Sequence, residues 1–342
     1  MSLKRISELT GASVATVSRV LNNPSYECQD RQMAERIRET ARSLNYIPNQ
    51  FARNLKLGDA YSGTFSENYT VDILLARFDS LEQDPFFAEL FRCVETEFHK
   101  QNCATGKILN VPDIPPANKT FNKPRSQGLL ILGKCPADIV EDLLRRYQGI
   151  VAIDRNPMDY KMDEIICNGS LASSIAVEYL FELGHTKIAY IGDCNMESRY
   201  MGYYECLLSH KIPLTYDYVV PTNQTREDGF RAFEKICCCK TRPTAIFCAN
   251  DVTALGFLQA MKEKNGRRKK EAYQPAVISI DDIEEASRIS PLLTTVRIPK
   301  EDMAHLAVLT LKDRLQKGHT EFIRLELPCH LMVRESSGVH IF

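Results

Sequence analysis

Apolar residues at the start of the chain recur every three or four positions, which is the period of an amphipathic α-helix. This pattern predicts short helices over residues 3–9 and 14–21 and a third helix over residues 30–44. Gly11 suits the backbone of a tight turn between the first two helices, and Ser13 is a good cap for the second. Two short helices joined by a three-residue turn that contains glycine are typical of a helix-turn-helix, although a generic helical bundle fits the same pattern.

From residue 70 onward, short apolar runs typical of buried strands alternate with helical segments. The predicted strands cover residues 71–75, 128–132, 149–153, 187–191, 245–248 and 276–280, and the predicted helices cover residues 87–101, 137–147, 171–183 and 252–262. This alternation indicates parallel sheets covered on both faces. Because there are too many repeats for one compact sheet, we expect an α/β core of two Rossmann-like lobes, preceded by an all-α helix-turn-helix domain.

Charge is distributed unevenly along the chain. The net charge of the 342 residues is −1, but residues 1–58 carry nine Lys and Arg against five Asp and Glu. A small basic segment ahead of an acidic body is typical of a nucleic-acid-reading domain attached to a separate core. No apolar run reaches the roughly 18 residues of a membrane span, and the first residues lack the apolar stretch of a secretory signal. We therefore expect a cytoplasmic protein that has no membrane partner.

The sequence offers no pattern typical of a metal site or of catalysis. Its twelve cysteines are scattered, with no CxxC pair and no Cys/His cluster at zinc spacing, so we expect reduced thiols, no bound metal and no cofactor. The run Cys237-Cys238-Cys239 leaves a redox sensor as the alternative. Dinucleotide, P-loop, zinc-protease and nucleophile-elbow motifs are all missing, so we expect no catalytic residues and a protein that is not an enzyme.

Two segments closely resemble the signature of the lactose/galactose repressor family of transcriptional regulators. They are GASVATVSRVLN at residues 11–22 and LNYIPNQFARNL at residues 44–55, and they stand at the family's spacing. The resemblance continues more diffusely to about residue 336, and the short first lobe looks most like the branch of the evolved β-galactosidase repressor. It implies a homodimer that reads a palindromic operator in double-stranded DNA, and a periplasmic-binding-protein-like core that binds a small sugar effector and changes DNA affinity allosterically.

The resemblance also implies how the chain contacts DNA. Val14, Ala15 and Arg19 are expected to face base edges in the major groove, where Arg19 can donate two hydrogen bonds to a guanine, worth roughly 1–3 kcal/mol of discrimination. Leu55, in a short hinge helix, is the expected apolar lever that wedges into the minor groove. Phosphate contacts are expected mostly for Ser13, Thr16, Ser18 and Asn22, and further DNA contacts for Tyr46, Asn49 and Arg53.

Effector binding is expected beyond the carboxyl ends of the parallel strands, where ligands bind in such sheets. Carboxylates and amides recur there in this sequence, and the alternative is that they only cap helices. Gln224 stands where several relatives have a stacking aromatic ring, which favours a polar sugar over a flat purine; a galactoside such as lactose is the hypothesis. The resemblance implies effector contacts for Asp84, Phe86, Phe87, Asp154, Arg199, Gln224, Asn250 and Asp281.

The expected domain organisation follows from the same resemblance. It comprises a DNA-binding domain (1–48), a hinge helix with linker (49–69), and a core (70–336) of two lobes, the first about 70–166 with 298–318 and the second about 167–297 with 319–336. One alternative is a regulator whose ligand acts as a co-repressor and tightens DNA binding. Another is a sugar-binding protein of transport, which the missing signal peptide and the helix-turn-helix both disfavour.

Overall fold

The computed structural model forms two compact units, Met1–Ser66 and Glu67–Phe342. It describes residues 3–22, 30–43, 69–76, 84–114, 124–158, 160–195, 197–267 and 272–338. The expected DNA contacts Tyr46, Asn49, Arg53 and Leu55 lie outside these described residues. Among the helices of the described residues, none has the length and apolar character that crossing a membrane requires.

The amino-terminal unit contains the three predicted helices, α1 (Leu3–Thr10), α2 (Val14–Asn22) and α3 (Arg31–Ser43). Gly11 ends α1 with a φ of 74°, a left-handed conformation that favours glycine. Ser13 caps α2 by accepting the Thr16 amide at 3.1 Å. The three helices bury one small apolar cluster: Ile6, Ala12, Val17, Val20, Ala34, Ile37 and Ala41.

The second unit begins with a six-stranded sheet in which every pairing is parallel. Its strands, in chain order, are β1 (Thr70–Leu75), β2 (Ala104–Asn110), β3 (Gly128–Leu132), β4 (Gly149–Asp154), β5 (Asp163–Cys167) and β11 (Arg324–Leu327). The described residues of this lobe form three helices: α4 (Pro85–Lys100), α5 (Ala137–Leu144) and α10 (Lys300–Leu315). The strand order is β11-β5-β4-β3-β1-β2, so β1 and β3 lie inside the sheet and are almost wholly buried.

The second lobe is another six-stranded sheet, ordered β12-β10-β9-β8-β6-β7 and parallel except for β12. Its strands are β6 (Ile188–Gly192), β7 (Val219–Pro221), β8 (Ala245–Cys248), β9 (Ala276–Asp281), β10 (Thr294–Arg297) and β12 (His330–Met332). Its helices are α6 (Gly169–Glu182), α7 (Ser198–Ser209), α8 (Arg226–Cys237) and α9 (Asp251–Arg267). The predicted two-lobed α/β fold is confirmed.

The chain passes between the lobes three times, between β5 and α6, between β10 and α10, and between β11 and β12. The first two passages lie close to the expected boundaries. The third differs, because residues 324–327 pair with β5 in the first sheet instead of joining the second lobe after residue 318. Strand β11 was missed because it lies at a sheet edge, where half of its side chains are exposed and its apolar pattern is weak.

Candidate functional site

Helix α2 turns its apolar side into the amino-terminal unit and leaves its first turn exposed. Val17 and Val20 are buried, whereas Val14 remains 44% exposed. Ser13 and Thr16 lie beside it, with their hydroxyl oxygens 2.9 Å apart. Small polar and apolar groups at the start of an exposed helix can enter a DNA major groove. Of the expected DNA contacts, Ala15, Ser18, Arg19 and Asn22 belong to α2, but their side chains lie outside the described residues.

The expected effector residues of the core meet in the cleft between the two lobes. Asp84 caps α4 by accepting the Phe86 amide at 3.0 Å, so that Phe86 and Phe87 follow in the first turn, both fully buried. Their rings are 5.1 Å apart in an edge-to-face arrangement. The guanidinium of Arg155 lies 4.9 Å from the Phe86 ring centre and 5.5 Å from that of Phe87, within the range of a cation–π interaction.

Arg155 connects the two lobes directly. It follows β4 of the first sheet, and its Nη1 lies 2.9 Å from Oδ1 of Asp281, the last residue of β9 in the second sheet. Both side chains are almost completely buried. Burial raises the pKa of Asp281, and the positive charges of Arg155 and Arg199 oppose that rise. The expected effector contacts included Asp154, which is itself buried. Arg155 also follows this strand, but it was not among those contacts, because its ion pair depends on a strand end in the other sheet.

Arg199 organises the opposite wall of the cleft. It is fully buried at the start of α7 and donates to Glu197 Oε1 at 2.8 Å, to the Ala249 carbonyl at 2.8 Å and to Gln224 Oε1 at 2.9 Å. The side-chain amide of Asn250 donates to the Gln224 carbonyl at 3.2 Å. Glu197, which was missed from the sequence, therefore orients Arg199, and Gln224 lies between Arg199 and Asn250.

Asn250 also fits the capping alternative, since its Oδ1 accepts the Thr253 amide at 3.0 Å in the first turn of α9. Its two roles are compatible, because the carbonyl oxygen serves the helix while the amide nitrogen faces Gln224. Two neighbours have strained backbones: Gln224 has a φ of 63° and Asp281 a φ of 125°. Such conformations cost about 1–3 kcal/mol and cluster at ligand-binding sites, which supports a functional role here.

The cleft therefore combines two guanidinium groups with carboxylates and amides whose positions are fixed by hydrogen bonds. Such a site can donate and accept several directional hydrogen bonds at once, which is what a polyhydroxyl ligand requires. A surface groove of about 460 Å³ lies elsewhere, at the amino end of β6, beside Tyr203 and Leu207. Because ligands of parallel sheets bind at the carboxyl ends of the strands, we favour the cleft over this groove.

Comparison with known protein families gives separate matches for the amino-terminal helices and for the core. Residues 2–49 match the model for bacterial regulatory proteins of the lacI family, and residues 177–337 match the model for a periplasmic binding protein-like domain. The chain is 27% identical to a probable transcriptional repressor, ExuR, of Bacillus subtilis, over 98% of both chains. It is 28% identical to the ribose operon repressor of Escherichia coli, over 98% of this chain and 99% of the relative.

A solved structure has the same core fold. It is a LacI family transcriptional regulator from Enterococcus faecium with bound ribose, and it matches with a TM-score of 0.67 and 23% identity over 78% of this chain and 98% of that chain.

Proposed function

Because the chain belongs to the LacI family of bacterial regulatory proteins, we propose that it is a transcriptional repressor that a small sugar releases from operator DNA. The observation that carries this proposal is the presence, in one chain, of a helix-turn-helix unit and a cleft in which Arg155, Arg199 and Asp281 converge. Relatives that match over the whole length are named as repressors, which agrees with the expectation of a regulator rather than an enzyme.

The proposed DNA-binding mode places α2 in the major groove, with Val14, Ala15 and Arg19 at base edges. A single recognition helix reads only half of a palindromic site, so we propose a homodimer on half-sites about one helical turn apart. Residues 49–69 are proposed as the hinge, with Leu55 as the lever in the minor groove. Phosphate contacts make this binding strongly dependent on salt concentration.

The proposed effector is a sugar held by the polar groups of the cleft. A guanidinium, a carboxylate and an amide can each bond to sugar hydroxyls, and a ligand that leaves them unpaired is rejected. One relative is named for the ribose operon, which supports a sugar as the class of effector. A galactoside remains our hypothesis for the individual sugar, and ribose is the first competitor to test against it.

The direction of the response follows from linkage. A sugar that releases the operator must bind the DNA-free form better than the DNA-bound form. The alternative is a co-repressor, which would bind the DNA-bound form better. A gel shift on the upstream region of the chain's own gene, with galactosides and ribose as separate additions, distinguishes them. Loss of the shifted band with one sugar supports the proposal, whereas a stronger band supports the co-repressor.

Two variants test whether operator binding and sugar binding depend on different residues. Leu55→Ala should weaken operator binding and leave sugar affinity unchanged in a calorimetric titration. Arg199→Lys should do the reverse, because a single ammonium cannot reproduce the planar fork that reaches Glu197, Ala249 and Gln224 together. Equal loss of both activities in either variant would contradict this assignment, and binding of none of the sugars by the unmodified protein would contradict the effector class.

A further inference from the structure

Three side chains of the second lobe meet where helices α6 and α7 pack together. They lie near the carboxyl end of α7, whereas Arg199 of the effector cleft is at its start. They are Glu178 of α6, Cys206 of α7 and His210, the residue that caps the carboxyl end of α7, and one potential ligand atom of each lies within 4.8 Å of the other two. Cys206 Sγ is 3.1 Å from Glu178 Oε1, and His210 Nε2 is 2.7 Å from Glu178 Oε2. The carboxylate thus lies between a thiol and an imidazole.

We propose that Glu178, Cys206 and His210 form a zinc site. Zinc accepts thiolate sulfur, imidazole nitrogen and carboxylate oxygen in one coordination shell, whereas magnesium and calcium prefer oxygen ligands. Cys206 and His210 are four residues apart, and the His210 amide still donates to the Cys206 carbonyl oxygen at 3.2 Å, so both side chains lie on the same side of the carboxyl end of α7. The donor set therefore favours zinc over magnesium and calcium, and the spacing lets Cys206 and His210 approach the same ion.

The surrounding structure holds the three ligands in position. Gly202 allows α7 to approach α6 closely, since a Cβ at this position would lie 2.3 Å from the Ser170 carbonyl oxygen. The His210 ring stacks on Phe181, with ring centres 4.0 Å apart and planes 21° apart, which orients the imidazole. The ligand atoms are no more than 4.8 Å apart, which is close to the separation of two atoms that share one ion through zinc bonds of about 2.0–2.3 Å.

Exposure indicates how an ion would reach the site. Cys206 is buried, while the side chains of His210 and Glu178 are 38% and 46% exposed. Three protein ligands with one open side leave the fourth tetrahedral position to water. Sequence spacing did not predict this site, because Cys206 and His210 offer only two ligands and the third comes from another helix, 28 residues before Cys206.

The test uses the full chain, reduced and treated with a chelator, and titrated with zinc against a chromogenic chelator. We expect one zinc ion per chain, and a Co²⁺-loaded protein with the absorption band of a thiolate-to-metal charge transfer. Changes to residues behind metal ligands cost about 10–100-fold in affinity, so loss of a direct ligand should cost at least about tenfold. Cys206→Ser and His210→Ala should each show this loss, and Cys206→Ser should also lose the cobalt band.

Matched controls are Cys238→Ser and His99→Ala, which alter exposed residues away from the cluster and should bind zinc like the unmodified protein. His210 is partly exposed, so His210→Ala tests the proposal even if the buried Cys206→Ser variant does not fold. Unchanged zinc affinity in His210→Ala would overturn the proposal. Zinc binding by the unmodified protein that is no tighter than that of the Cys206→Ser, His210→Ala double variant would overturn it as well.

Discussion

Asp251 is a fully buried carboxyl group just beneath the cleft, at the start of α9. Its Oδ1 accepts hydrogen bonds from Ser279 and Thr295 at 2.6 Å each, and its Oδ2 accepts the Ile283 amide at 2.8 Å. Burial and the nearby charge of Asp281 nevertheless raise the pKa of Asp251 to about 7. These bonds tie β9 and β10 to α9, so Asp251 positions the strand end that carries Asp281.

The raised pKa of Asp251 predicts a pH dependence of stability. The folded state holds this proton more tightly than the unfolded chain, so the stabilisation is complete below about pH 4 and is lost as pH rises to about 7. Each tenfold change in proton affinity is worth about 1.4 kcal/mol, so the loss is at most about 4 kcal/mol. Urea unfolding between about pH 5 and 8 should show a steeper decline for the unmodified protein than for Asp251→Asn, which cannot titrate. Asp217→Asn, at an exposed carboxylate, is the control, and parallel pH curves for all three proteins would contradict the prediction.

At the scale of elements, helices α8 and α9 approach each other through two glycines. A Cβ on Gly229 would lie 2.0 Å from the Thr253 carbonyl oxygen, and one on Gly256 would lie 1.9 Å from the Arg226 carbonyl oxygen. Backbone atoms cannot yield as a flexible side chain can, so a methyl group at either position must push the helices apart. Since Thr225 caps α8 directly after Gln224, movement of this helix reaches the cleft.

Gly256→Ala is therefore expected to destabilise the protein although alanine is the better helix former. Helix propensity favours alanine by about 1 kcal/mol, whereas overpacking of a tight contact costs about 1–3 kcal/mol. The net effect should be a lower free energy of unfolding, measured by urea denaturation, together with weaker sugar binding. Gln259→Ala, at an exposed position of the same helix, should change stability by less than about 0.5 kcal/mol. Equal stability of Gly256→Ala and the unmodified protein would contradict the prediction, because the cost of separating the helices would then be no larger than the gain in helix propensity.

The strands that sequence patterns predicted are those inside a sheet, where most side chains are apolar and buried. Strands β1, β3 and β4 are buried on both faces; β3 and β4 appear as apolar runs, and in β1 the run is interrupted only by the buried Asp72. Strand β2 was missed because it lies at a sheet edge, where its positions are half-buried or exposed and none is fully buried. In the cleft, the position of Asp281 at the carboxyl end of a parallel strand was enough to predict it as an effector contact. No local pattern could show that Arg155, far away in the sequence, would form an ion pair with it.

At the scale of the whole molecule, several bonds join the two lobes across the cleft. Glu89 of α4 accepts the Glu284 amide at 2.8 Å through Oε1, and its Oε2 lies 3.2 Å from Lys300 Nζ. Lys300 also donates to the carbonyl oxygens of Asp281 and Asp282, both at 2.9 Å. The Glu89–Lys300 ion pair lies within the first lobe, whereas the bonds to Glu284, Asp281 and Asp282 cross to the second; with the Arg155–Asp281 ion pair, these crossing bonds favour the arrangement in which the lobes touch.

Removal of Glu89 should therefore change sugar binding through the closure of the lobes. If sugar binds the arrangement with closed lobes, Glu89→Ala makes that arrangement less populated and weakens the apparent affinity for sugar in proportion. One hydrogen bond worth about 1 kcal/mol corresponds to a roughly fivefold rise in Kd, measured by calorimetry. By linkage, release of operator DNA should require more sugar by a similar factor, while operator affinity without sugar should not fall. Arg92→Ala, at an exposed position of the same helix, is the control and should change neither sugar affinity nor operator affinity. A Glu89→Ala variant that lost operator affinity but kept sugar affinity would show that sugar binding is not coupled to lobe closure.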